Sequence, residues 1–350
     1  MAITIQVRPF GVTRTGQAVY CYCLSSPVLQ AELLDYGVTL RALRTRDCAG
    51  QWRDVVLGYD TLDAYETQDG YLGACIGRVC NRIGGAEFTL NGTRFALARN
   101  DGQNHLHGGL RGFDKYIWQA DIGADCVRFT RVSPDSEEGY PGTLHVSITC
   151  RVEENTLEQC YDAQSDRDTL CSLTNHAYWN LNGAGSVLAH TLQIPADAFL
   201  ENSSECLPTG KYLAVEGTPM DFRAPKPLGR DLALEDVQLR RCGGYDHTFC
   251  LPAAPELHEA AVLHSAQSGI TLRVLTTLPG VQLYTANFLG TRAGKHGAVY
   301  HRQDAVCLET QFYPNAMRCP AFPQPILRAG ERYHHRTLYS FQTTPPEKGL

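Results

Sequence analysis

The sequence predicts an all-β protein, a large β-sandwich with few short helices. Turn signals recur along the whole chain, and long amphipathic helical patterns are missing. No tether-like run of Gly, Ser or Pro divides the chain either. Its 350 residues therefore read as one continuous body, a single domain over 1-350.

The clearest local element spans residues 87–97, EFTLNGTRFAL. Two alternating runs flank Asn91-Gly92, the strongest short-range hairpin signal. Further β-rich runs are predicted at 18–23, 38–43, 126–132, 143–152, 191–194, 271–277 and 306–309. Alternation of apolar and polar residues in them suits sheets with one face in a core. The best helix candidate is 230–241, and 61–66 offers another turn. The Pro-rich zones at 219–227 and 314–325 are interleaved with aromatics and read as ordered loops.

Hydrophobic residues make up 43% of the chain and charged residues 19%, enough apolar material for a sizeable core. The net charge is -6 with no basic run, which argues against nucleic acid and anionic membrane surfaces as partners. Fourteen cysteines in 350 residues are too sparse for a disulfide scaffold and include no CxxC pair. With no signal-peptide pattern at MAITIQVRPF and no membrane-length apolar stretch, the expectation is a cytoplasmic protein with reduced thiols.

Five polar segments combine residues that are costly to bury: 77–83 (GRVCNRI), 104–109 (NHLHGG), 174–180 (TNHAYWN), 244–247 (GYDH) and 308–311 (LETQ). Singly, each has a plain structural reading. His107 before two glycines suits a capped turn, Arg82 a surface ion pair, Asp246 a turn cap, and His176 a core imidazole. Glu309 is harder to dismiss, because it directly follows the apolar Ala305–Leu308 stretch where a strand belongs in a core. A carboxylate there needs partners or a raised pKa. Gln311 shares its face at strand spacing.

Together the segments resemble the aldose 1-epimerase (galactose mutarotase) family from about residue 20 to 340. GRVCNRI, NHLHGG followed by GFDK, TNHAYWNL, GYDH, YTANFLG and ETQFYPN occur in that order. The resemblance implies a galactose-mutarotase-like β-supersandwich that interconverts the α and β anomers of free hexoses such as galactose and glucose. It implies Glu309 as base and His176 as acid, with Asn81, Arg82, His107, Tyr178, Asp246 and Gln282 at the sugar site. It implies a small-molecule sugar as partner; the chemistry below needs no cofactor and no metal, and the expected assembly is a monomer or weak homodimer. His105 departs from the family pattern and is left with an open role at the rim. Trp179 is left between stacking on the sugar and packing in the core.

That chemistry needs two proton movements. The C1 hydroxyl loses a proton and the ring oxygen gains one; the ring then opens, rotates about C1–C2 and closes on the other face. A carboxylate and a protonated imidazole suffice, each contributing a factor of roughly 10² to 10⁴. Competing readings are a metal site from His105, His107 and Glu309, and a sugar-phosphate epimerase using Arg78 and Arg82. Two more are a glycosidase with Asp246 as second carboxylate and a non-catalytic sugar binder.

Overall fold

The computed structural model describes residues 3–252 and 256–344. Strands dominate, arranged in three main sheets of five, nine and six strands. The nine-stranded antiparallel sheet owes its register to alternating sequences. Leu144–Glu153 (LHVSITCRVE) and Thr156–Ser165 (TLEQCYDAQS) each turn alternate residues inward, and they pair from Leu144 opposite Ser165 to Glu153 opposite Thr156. Arg332–Thr343 lies next to the second of these strands and joins it to Ile270–Thr276.

The six-stranded sheet runs in the order Tyr178–Trp179, Val306–Gln311, Gly280–Tyr284, Asp246–Cys250, Ala198–Asn202, Pro208–Ala214. One of its faces carries Val306, Leu308, Val281, Leu283 and Phe249, all buried in the main hydrophobic cluster. Trp179 lies wholly in that cluster, with its ring 5.0 Å from Tyr339 and 5.9 Å from Phe341 of the nine-stranded sheet. It therefore packs between sheets and does not stack on a ligand. Removing so large a buried ring costs about 3–5 kcal/mol.

The five-stranded sheet, from Thr4–Val12 to Trp52–Asp54, buries two charged residues, Glu32 and Arg41, as partners. Glu32 receives Arg8 at 2.8 Å, Arg41 at 2.5 Å and Arg44 at 2.7 Å. Burial opposes its charge, but Arg44, Arg41 and Arg8 outweigh that and hold the carboxyl down at about 2.

The hairpin forms as expected. Glu87–Leu90 pairs with Thr93–Ala96, and Asn91 (φ 50) and Gly92 (φ 77) supply the two positive φ values of a type I′ turn. The short helix Leu62–Thr67 follows its Thr61 cap. The predicted helix at 230–241 needs correction, because only Val237–Cys242 is helical. Asp231 is drawn away by Lys226 at 2.6 Å, and residues 230–234 run through bends and a turn closed by the Leu234 N–H on the Asp231 carbonyl; the helix starts only after Asp236, whose side chain caps the N–H groups of Gln238 and Leu239. Gly243 at φ 65 ends the helix. Among the described residues no helix is long and apolar enough to cross a membrane.

Candidate active site

The second face of the six-stranded sheet forms the floor of an open cleft of about 360 Å³. Register assembles that floor. Gln282 lies opposite Glu309, Tyr284 opposite Asp246, and Tyr178 opposite Cys307. Because side chains alternate along a strand, Glu309 faces the cleft while its neighbour Leu308 enters the core. His176 sits on the segment beside this sheet, where its N–H bonds the Ala74 carbonyl and its own carbonyl accepts from Gly73 N–H. This brings the Nε2 atom of His176 to 3.7 Å from Oε1 of Glu309.

Three aromatic rings fix that imidazole. Tyr178 stacks on one side (centroids 5.0 Å, 12° between planes) and Tyr71 lies nearly parallel at 6.1 Å. Tyr284 approaches edge-on at 6.3 Å. Tyr71 also packs on His107 at 4.7 Å, and it does so from a left-handed backbone (φ 56). Such strain in a bulky residue persists only where its surroundings over-determine it.

The opposite wall is built from two further left-handed residues, Asn81 (φ 61) and His107 (φ 51). Their main chains bond each other, His107 N–H to Asn81 O at 3.1 Å. The Asn81 N–H also donates to Nδ1 of His107 at 3.1 Å. An accepting Nδ1 places the proton of the neutral ring on Nε2. Burial, with His176 and Arg82 nearby, pushes the His107 pKa well below the usual histidine range and keeps the ring neutral. Arg82 donates to Asp101 at 2.7 Å and stands 3.8 Å from Asp246. Asp246 accepts from Gln282 Nε2 at 2.6 Å, and Gln282 in turn accepts from Thr248 at 2.5 Å. The wall thus presents fixed donors and acceptors suited to a polyhydroxylated ligand.

Burial dominates the electrostatics. It lowers His176 to about 4. It raises Glu309 well above the usual carboxylate range, reinforced by Asp246 and opposed by Arg82. Oε2 of Glu309 has no hydrogen-bond partner among the described residues. The cleft thus keeps two ionisable groups close together with few protein partners, a pattern typical of catalytic acid–base pairs.

Seven of the eight residues singled out in the sequence line this cleft: Asn81, Arg82, His107, His176, Tyr178, Asp246 and Glu309. Gln282 stands behind Asp246 and acts on the cleft through it. His105 has no place at the rim. Its ring is fully buried between the Ala98 carbonyl (2.8 Å) and the Tyr140 hydroxyl (2.7 Å), because the short strand His105–Leu106 ends before His107, whose left-handed backbone (φ 51) breaks the shared face of positions two apart. The metal reading through His105 fails for that reason. A different trio, His107, His176 and Glu309, brings one ligand atom each within 4.8 Å of one another. Arg78 is also lost to a phosphate reading. It is buried and bonded to Ser133 and to the carbonyls of Pro134 and Pro141.

Sequence reasoning missed Tyr71, Asp101, Tyr284, Phe288 and Arg292, which also line the cleft. Tyr284 and Phe288 carried a signal, since both lie in the YTANFLG segment. Phe288 is a 63% exposed aromatic at the mouth. Tyr71 and Asp101 sit in Gly-rich turns whose geometry the sequence alone does not give.

Stacked sheets carrying an open polar cleft with one carboxylate–imidazole pair define a β-sandwich enzyme of carbohydrate chemistry. The family model described as aldose 1-epimerase matches residues 20–340. The galactose mutarotase of Sus scrofa is 45% identical over 91% of this chain and 92% of its own length. The aldose epimerase homologue from C. elegans superposes with a TM-score of 0.84 at 30% identity, covering 97% of this chain and 100% of that one. The galactose 1-epimerase from Lactobacillus acidophilus NCFM gives 0.85 at 25% identity over 98% and 99%. The chain belongs to the aldose 1-epimerase family, whose members are sugar isomerases.

Proposed function

We propose that the cleft binds a free hexose such as galactose or glucose, with Glu309 and His176 moving the two protons of anomer exchange. The observation that carries this reading is the 3.7 Å approach of the two groups inside the polar cleft. The Glu309 carboxylate takes the C1 hydroxyl proton as the C1–ring-oxygen bond breaks, and His176 delivers a proton to the ring oxygen. The open aldehyde rotates about C1–C2, and closure returns both protons, so the enzyme ends as it began.

The pair must hold one proton in total. Burial favours a neutral carboxyl facing a neutral imidazole. Sugar hydroxyls donating to Glu309, and a ring oxygen accepting from His176, favour the charged arrangement that starts the reaction. Asp246 accepts hydroxyl protons, while Arg82, Asn81 and His107 Nε2–H donate; Gln282 orients Asp246, and Tyr178 braces His176.

The reading takes the chain as one domain, supported by a cleft lined from Asp69 to Glu309 and a hydrophobic cluster running from Tyr22 to Phe341. Fourteen free cysteines fit a reducing, cytoplasmic setting, and a monomer or weak homodimer is the working assembly. Polarimetry on freshly dissolved α-D-galactose and α-D-glucose tests the function. Optical rotation should relax far faster with the protein than without it. An unchanged relaxation rate for both sugars would refute the assignment.

A further inference from the structure

We propose that Cys160, Asp162 and His334 form a second, non-catalytic site for a single divalent cation of the zinc class, on the outer face of the nine-stranded sheet. Cys160 and Asp162 are two apart on Thr156–Ser165 and share a face. His334 lies directly opposite Asp162 on Arg332–Thr343. Cys160 Sγ is 3.5 Å from Asp162 Oδ2 and 3.8 Å from His334 Nδ1, which is 2.9 Å from Asp162 Oδ1.

These spacings are near those of a metal site. Zinc–ligand lengths of about 2.3 Å to sulfur and about 2.0 Å to nitrogen or oxygen, at tetrahedral angles, give ligand–ligand edges of about 3.3–3.6 Å. The thiol meets one Asp162 oxygen and the imidazole the other, but one ligand atom of each residue lies within 4.8 Å of the others, so small side-chain rotations close the set onto one tetrahedral face. Paired strands hold them, so binding orders little extra chain. His334, with its side chain 43% exposed, leaves the fourth corner to water. A thiolate, an imidazole and a carboxylate select zinc or a neighbouring transition metal over magnesium or calcium. The thiolate and carboxylate together balance a dipositive ion.

The place already attracts a cation. The Arg332 guanidinium donates through Nε to Asp162 Oδ1 at 2.7 Å, and its Nη2 lies 3.2 Å from His334 Nδ1. That side chain is 67% exposed and can swing clear. Burial, and then Asp162, push the Cys160 thiol up to about 12. Binding therefore exchanges a thiol proton for the metal: the S–H bond breaks, a sulfur–metal bond forms, and one proton leaves to water. His107, His176 and Glu309 in the cleft contain no sulfur, so a thiolate signature separates the two sets.

The test is a Co²⁺ titration of the full chain with galactose saturating the cleft. One equivalent should produce a thiolate-to-cobalt charge-transfer band. Cys160→Ser should abolish the band and weaken binding by at least roughly tenfold, the loss seen even when only an outer-shell partner of a metal site is removed. His334→Ala should weaken binding likewise, and Arg332→Ala, which removes the competing cation, should tighten it. Retained mutarotation in each variant reports an intact fold. Absence of a thiolate band in the parent chain, or a band that survives Cys160→Ser, would overturn the proposal.

Discussion

Glu32 and Glu309 are both buried glutamates on β-strands, yet the fold treats them in opposite ways. Three arginines surround Glu32, and its carboxyl is held at about 2. Glu309 has a neutral imidazole at 3.7 Å, one oxygen without a partner among the described residues, and a pKa pushed well up by burial. A buried charge that is fully paired belongs to the architecture. One left wanting is held ready for a group that arrives later, which in the proposed function is a sugar hydroxyl.

Substituting the two glutamates should therefore give opposite phenotypes. Glu309→Gln, and likewise His176→Asn, should lower kcat by roughly 10² to 10⁴ with no loss of melting temperature, read by polarimetry and calorimetry. Near-parental turnover in either variant would remove that residue from its role. The kcat/KM profile should be bell-shaped, since activity needs one proton on the pair and fails when it holds two or none. A flat profile would show that the pair is not the acid–base machinery.

Glu32→Gln should leave kcat unchanged and destabilise the fold by about 3 kcal/mol at neutral pH, because it strands buried cations. The pH dependence follows from the direction of each shift. The Glu32 carboxyl is depressed in the fold, so its stabilisation is present above the ordinary value of 4.5 and lost as pH falls toward about 2. The stability gap between parent and Glu32→Gln should close over that window in an acid denaturation series. The Glu309 carboxyl is raised, so its ionisation opposes folding, and Glu309→Gln should gain on the parent as pH rises above 4.5. The smallest effect is expected for Asp101→Asn. Loosening Arg82 should raise KM a few-fold, about 1 kcal/mol or less, with kcat nearly constant.

The same contrast explains what the sequence disclosed. Glu309 was legible because an apolar run ended in a carboxylate, whereas His176, Arg82 and Asp246 each had a plain structural reading singly and were picked out only by the resemblance of the motifs that carry them. The hairpin was legible because Asn91-Gly92 admits few other turns. Glu32 was not, since its three arginines come from other strands and only pairing brings them together. Tyr71 and Asp101 were hidden for a similar reason, and His105 misled because strand spacing would give it the face of His107, whereas the strand ends at Leu106 and the left-handed backbone of His107 sends the two rings apart. The helix expected over 230–241 was overlong because Asp231 is tied to Lys226 and the chain turns through 230–234, which leaves only the stretch after the Asp236 cap helical.

The strand Val306–Gln311 serves two masters, with Leu308 filling the core and Glu309 reaching the cleft from adjacent positions. A slip of one residue against Gly280–Tyr284 would send the carboxylate into the hydrophobic interior and a leucine into the sugar cleft. Insertions and deletions between positions 285 and 305 are therefore tolerable only where the intervening loop absorbs the whole change. The loop is free to drift in length over evolutionary time, whereas the pairing on either side of it is not.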